Sequence, residues 1–283
     1  MKNKRGWFAF PYVIWMALFV VIPIVIMAVY AFTVADPATN ATQASLENFT
    51  GMGIYLSVFL RSFWLALLAT LVCLLVGYPV SYWMAKEGPR FQRVAMALIM
   101  LPMWMNFLLR TYSWMSILEN NGLLNQFFRA IGLLNLLGVD HIQMIGTSGA
   151  VVLGMVYNYL PFMILPIYSV IVKLDGSLLE AARDLGADSA RVFSKVIFPL
   201  SLPGILSGVT MVFVPSVSTF AISNLLGGGN QMMLGDLIEL QFLGGAYNPH
   251  LGAAVSMVMM AVVVVCMVVM NHFGEGEEQA VML

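Results

Sequence analysis

The chain has 283 residues, 60% hydrophobic and 10% charged; a soluble domain carries about 25% charge, and that deficit excludes a soluble enzyme. A mean hydropathy of +0.88, with uncharged stretches longer than the roughly 18 residues that mark a membrane helix, makes lipid the solvent for most of it. Thirteen basic against fourteen acidic residues leave a net charge of −1, without the basic stripe that a nucleic-acid partner requires.

Crossing the hydrocarbon takes about 20 apolar residues in a helix, because every backbone polar group must be satisfied within the segment. The first such stretch, Trp7 to Phe32, follows Lys2, Lys4 and Arg5. Its uncharged run far exceeds the roughly 7–15 residues of a signal-peptide core, so it reads as a retained membrane helix. A polar, turn-rich segment from Asp36 to Tyr55 follows, with Pro37, Asn40, Asn48 and Gly51. The second span is Phe63 to Ala85. The third, Val94 to Leu118, is interrupted by Arg110, whose long stem is expected to snorkel toward an interface. Between Gly122 and Ile145, Leu123, Leu124, Phe127, Phe128, Ile131 and Leu134 recur at helical spacing, with Gln126 and Arg129 off the stripe. This predicts a short amphipathic helix on the outer surface or capping the bundle. Spans four to six are Ser148 to Val172, Leu202 to Leu225 and Leu251 to Met270. The expected class is all-α, a polytopic membrane protein with six transmembrane helices.

Ten of the basic residues (Lys2, Lys4, Arg5, Lys86, Arg90, Arg93, Lys173, Arg183, Arg191, Lys195) fall on one side of this threading and three (Arg61, Arg110, Arg129) on the other. The positive-inside rule then places both termini in the cytoplasm, and the acidic tail Glu275, Glu277 and Glu278 carries little weight against it. Cys73 and Cys266 lie in apolar runs and behave as small hydrophobes. His141, His250 and His272 are scattered without metal-ligand spacing, which leaves a membrane-embedded enzyme without a catalytic constellation. Pro79, Pro102, Pro161, Pro166 and Pro215 each remove a backbone hydrogen bond inside a span. Singly these are ordinary membrane-helix prolines; the pair Pro161 and Pro166 reads as a hinge shaping a pathway.

The loop Lys173 to Lys195 concentrates charge and specifies helix, turn, helix. Ser177 and Glu180 form an S-x-x-E capping box, Leu178 to Leu185 are good helix formers, and Gly186 supplies a left-handed end. Asp188 is placed to cap a following helix toward Pro199, giving two short helices at the membrane surface. Taken alone, this is a well-capped loop between two spans. Yet Glu180, Ala181, Ala182, then Gly186, then Ile197, Phe198, Pro199 and Leu200 resemble the EAA motif of ABC importer permeases. Ile197 falls one place later than in that motif, and Pro199 precedes Leu200. The resemblance implies the type I importer permease fold, with an N-terminal helix and outer loop over residues 1–60, the permease domain over 61–272 and a cytoplasmic tail over 273–283. It also implies that Glu180, Ala181, Ala182, Gly186, Ile197 and Pro199 serve the contact with a cytoplasmic ATP-binding subunit. Small alanines permit close approach, and a capped helix is rigid enough to transmit a push. No G-x-x-x-x-G-K-[ST] occurs in the chain, so by this signature it binds no cofactor itself; ATP and Mg are expected on the partner.

Leu101 to Trp114, Tyr157 to Asp175 and Leu225 to Leu243 further resemble the B-type permeases of spermidine/putrescine importers. That resemblance implies a polyamine cargo, a second, C-type permease subunit forming a heterodimer, an extracytoplasmic polyamine-binding protein, and residence in the bacterial inner membrane. A polycation needs aromatic faces, carbonyls or carboxylates in place of water. Trp104, Asn106, Tyr112, Trp114, Tyr157, Asn158 and Tyr159 are candidates, although Trp and Tyr also form interfacial belts. After Gly227 to Gly229 break the fifth helix, Asp236 and Glu239 follow at i, i+3. Together with Glu119 they are either an entry point for the cation or acids that cap a short outer helix. A sister permease for a sulfate-like anion, iron or phosphonate, and a secondary transporter, are the alternatives.

Overall fold

The computed structural model describes residues 10–35 and 42–281, with side chains as far as Met270. Lys2, Lys4, Arg5, the start of the first span at Trp7, and Asp36, Pro37 and Asn40 lie outside the described residues, as do the side chains of His272, Glu275, Glu277 and Glu278. In chain order, α1 (Phe10–Met16) passes through a π turn (Ala17–Val21) into α2 (Ile22–Ala31). The antiparallel pair β1 (Thr33–Ala35) and β2 (Thr42–Ala44) leads to α3 (Glu47–Thr50) and the long α4 (Leu56–Lys86). Next come α5 (Pro89–Met100), a tight turn (Leu101–Trp104), α6 (Phe107–Leu118), α7 (Leu123–Ala130) and α8 (Leu133–Leu137). The chain continues through α9 (Ser148–Ile171), α10 (Gly176–Asp184), α11 (Ser189–Val192), a second π turn (Phe193–Ile197) and α12 (Phe198–Ser218). It closes with α13 (Ala221–Gly227), α14 (Leu234–Leu243) and α15 (Pro249–Val281).

Among the described residues, five helices are long and apolar enough to span a membrane, and a bent pair, Pro89–Trp104 with Phe107–Ala130, makes a sixth if taken as one span. The bend is 92°, where the sequence suggested a single third span. Pro102 cannot donate to the preceding turn, and Asn106 starts a new helix by accepting from the amides of Leu108 and Leu109 (2.9 and 3.3 Å). The fifth span also departs from expectation. It begins earlier, because α11 runs through the π turn into α12 as one 30-residue helix, so only α10 is a separate short helix of that loop. It ends at Ser218 rather than Leu225, where Thr219 turns extended (ψ 140°) and α13 starts afresh. Arg110 does not snorkel: it is 8% exposed, and its Nε and Nη1 have no hydrogen-bond partner among the described residues. The predicted amphipathic helix is split into α7 and α8 by Gly132, whose φ of +76° few other residues adopt.

Among the described residues the chain forms two compact units, the first drawn from positions up to 57 with 237–264, the second from 58–236 with positions from 265 on. In the first, buried Asn48 donates to the carbonyls of Ala31 and Thr33 (3.0 and 2.9 Å), tying α3 to the end of α2. His250 Nδ1 lies 3.0 Å from Tyr30 O and 3.2 Å from Thr33 Oγ1, which gives this histidine a structural place.

The second unit is built on α9 and α12. A Cβ at Gly204 would stand 2.9 Å from Pro166 O, and one at Gly208 would stand 3.2 Å from Met163 O, so this small-x-x-x-small pair lets the two backbones touch. Helix α4 packs alongside: Ser81 Oγ donates to Ile164 O (3.0 Å), and Gly77 faces Met163. At one end of the unit Leu234 N donates to Ser62 Oγ (2.8 Å), Gly146 N to Leu226 O (2.8 Å) and Ser148 Oγ to Gln231 Oε1 (2.9 Å). Buried Asn125 bonds the backbone of Ile142 in both directions and the carbonyl of Glu119. The opposite end holds the end of α4, the start of α5, the end of α9, and α10 with α11. Tyr168 there donates to Gln92 (3.1 Å).

Candidate coupling loop and pathway residues

The helix cap at the start of α10 is Asp175, not Ser177. Asp175 Oδ1 accepts from the Ser177 amide at 2.9 Å, and this hydrogen bond holds its carboxyl below the usual range. Aspartate two residues upstream reaches the free amides of the first turn, a job the Ser177–Glu180 box was expected to do. At the other end Gly186, φ +83°, donates to Arg183 O (2.8 Å) and Ala187 N to Ala182 O (3.1 Å), the two bonds of a Schellman ending. Asp188 Oδ1 accepts from Arg191 N (2.9 Å) and caps α11, as its position in the sequence suggested.

The loop therefore presents a rigid, doubly capped helix. Glu180, Ala181 and Gly186 are exposed on it, Ala182 is half-buried, Ile197 is buried in the bundle, and Pro199 sits exposed in the first turn of α12. Sequence reasoning missed two apolar neighbours. Leu185 is 90% exposed and Leu178 49%, and with Ala181 they fall at i, i+3, i+7, one face of the helix. The signal was present in that spacing, but an expected surface loop hid it. An exposed apolar stripe on a capped helix is what a docking face looks like.

The pathway candidates do not form one cluster. Trp104 is 81% exposed, Tyr112 is half-exposed, and Asn106 is spent on the α6 cap. Trp114 and Tyr157 meet edge to face, centroids 5.3 Å apart. Asn158 is buried; its Nδ2 donates to Gly154 O (2.9 Å), and its Oδ1 has no hydrogen-bond partner among the described residues. Tyr159 donates to Pro215 O (3.4 Å), near the broken end of α12. Gly228 and Gly229 both take positive φ, so the expected break is there. Asp236 Oδ2 accepts from Met233 N (2.8 Å) at the start of α14, with Glu239 half-buried one turn on. Helix α9 runs unbroken through Pro161 and Pro166.

Residues 77–275 match the family described as binding-protein-dependent transport system inner membrane component, and the chain belongs to that family. It is 38% identical over 251 residues to the spermidine/putrescine transport system permease protein PotB of Escherichia coli (strain K12), covering 88% of this chain and 90% of that one. It is also 38% identical over 256 residues to the PotB of Haemophilus influenzae, covering 88% of each. Among solved structures it resembles a bacterial ABC transporter for import of the acidic polysaccharide alginate (TM-score 0.74, 18% identity, 96% of both chains) and the MetNI methionine ABC transporter (TM-score 0.56, 18% identity, 82% of this chain and 98% of that one). The fold is thus that of ABC importer permeases. The chain is a multi-pass inner-membrane transport component homologous to PotB, and its family is not a catalytic one.

Proposed function

We propose that this chain moves spermidine, putrescine or both across the bacterial cytoplasmic membrane by alternating access, driven by a separate ATPase. The observation that carries the reading is 38% identity over 88% of the chain to a spermidine/putrescine permease. The ATP-binding subunit, which uses ATP and Mg, docks on the face of α10 made by Leu178, Ala181 and Leu185, with Glu180 beside it and Gly186 ending it. A C-type permease completes a heterodimer, and an extracytoplasmic polyamine-binding protein delivers cargo. Both termini lie in the cytoplasm, on the side of the basic loops around Lys86, Lys173 and Lys195. The cation passes aromatic faces and carbonyls and is first met by Asp236, Glu239 and Glu119. The Trp114–Tyr157 pair, edge to face at 5.3 Å, offers ring faces to a cation.

Vesicles holding this chain with its co-encoded partners should take up labelled spermidine only with ATP, and excess putrescine but not sulfate should block it. ATP hydrolysis without spermidine uptake would remove the cargo; uptake without ATP would remove the importer reading.

A further inference from the structure

The π turn Phe193–Ile197 joins the charged loop to the membrane part of α12, and the rings around it form a closed group. Phe193 meets Tyr82 edge to face at 5.2 Å and Tyr78 at 5.9 Å, while Phe198 meets Tyr78 at 5.7 Å and Phe193 at 6.4 Å. The group is pinned on both sides. Tyr78, itself buried, shares a hydrogen bond with Ser201 at 3.0 Å, and Lys86 Nζ sits 4.0 Å over the Tyr82 ring.

Residues five apart on a regular α-helix point about 140° away from each other, so Phe193 and Phe198 would not normally address one neighbour. The π turn corrects this. The Phe198 amide donates to Phe193 O, five residues back, and the extra residue in the turn brings both rings to Tyr78. Such single π turns are frequent at functional sites, and this one costs a less regular helix for the sake of that contact. On the far side, Gly77 and Ser81 of α4 lie directly against α9 through Met163 and Ile164. The loop is thereby geared through rings to α4, and through α4 to α9.

We propose that Phe193 is a positioning residue which carries displacement of the α10–α11 loop into α4, with Tyr78 and Tyr82 as its receivers. The inference rests on reading α10 as the contact for the ATP-binding subunit. Neither the motif residues nor their spacing name Phe193, which lies between Gly186 and Pro199 and acts through the aromatic rings of another helix.

The test uses the full complex in proteoliposomes with a spermidine-loaded binding protein, reading ATP hydrolysis and uptake together. Phe193→Ala should leave the ATP-binding subunit bound and basal hydrolysis intact, while cargo moved per ATP falls about tenfold. Phe193→Tyr, which keeps the ring, should restore it. Tyr82→Ala should reproduce the loss, and the double variant should be no worse than either single one, since both break one linkage. An unchanged ratio in Phe193→Ala, or additive losses in the double variant, would overturn the proposal, as would release of the ATP-binding subunit by Phe193→Ala. Glu180→Arg measured alongside separates the two readings: if it too transports normally, the contact assignment fails; if it fails to transport while Phe193→Ala does not, only the linkage is wrong.

Discussion

At Gly186 the backbone φ is +83°, a conformation closed to proline, whose ring fixes φ near −65°. Gly186→Pro should therefore disorder the end of α10 and abolish ATP-driven uptake while the protein still inserts; wild-type uptake by this variant would contradict the role given to the turn. The Asp175 carboxyl is held below its ordinary range by the Ser177 amide, so its folded pKa lies under the unfolded one. Its contribution to α10 is then fully present above the usual carboxylate range and is lost as pH falls through the lowered pKa. Hydrogen exchange at the Leu178 to Ala182 amides should be faster in Asp175→Ala than in wild type at pH 7, with the difference vanishing in strong acid; equal rates at pH 7 would return the cap to Ser177. Leu185, 90% exposed, should lose the ATP-binding subunit on substitution by Asp, seen as at least tenfold weaker co-purification. Gly186 and Asp188 were legible in the sequence because turn and cap chemistry is local. Asp175 was not, because a plausible S-x-x-E box stood two residues later. Asn125 was hidden too: only the fold brings Ile142 to it.

Helix by helix, the apolar runs announced themselves, but their interruptions did not. Apolar residues continue on both sides of Met105 (Leu101, Met103; Phe107, Leu108) and of Thr219 (Val214, Val217; Ala221, Ile222), so a span broken by 92° reads like a straight one until the backbone is seen. A π turn likewise leaves no mark in composition. The pairing of α9 with α12 was legible in principle, since Gly204 and Gly208 are four apart, yet glycine in a span has several uses until its neighbour is known. Leucine at Gly208 would meet Met163 backbone atoms at 3.2–3.3 Å and its sulfur at 2.8 Å, so the helices must separate, at a cost of about 1–3 kcal/mol or more. Thermal denaturation of the purified complex should show a lowered midpoint for Gly208→Leu. Gly245→Ala, with no atom within 4 Å, should show none; a stable Gly208→Leu variant would mean that α9 and α12 are not in close contact.

For the molecule as a whole, membership of the importer permeases was legible because the EAA loop and three longer stretches are contiguous in sequence. The route of the cargo was not. Its candidates are scattered through the fold: Trp114 and Tyr157 pair with each other, Asn106 and Asp236 serve helix starts, and Arg110 is a buried charge among them. In the function proposed above a second permease subunit lines part of that route, so the side chains of one chain do not complete it. What the chain does contain is a short helix capped at both ends with its apolar face outward, the element proposed above to couple it to an ATPase. The most direct measurement is therefore simultaneous spermidine uptake and ATP hydrolysis in proteoliposomes of the complete complex, wild type against Glu180→Arg. Wild type should couple cargo-stimulated hydrolysis to uptake, and the variant, still inserted, should do neither; uptake by Glu180→Arg at the wild-type rate would contradict the account.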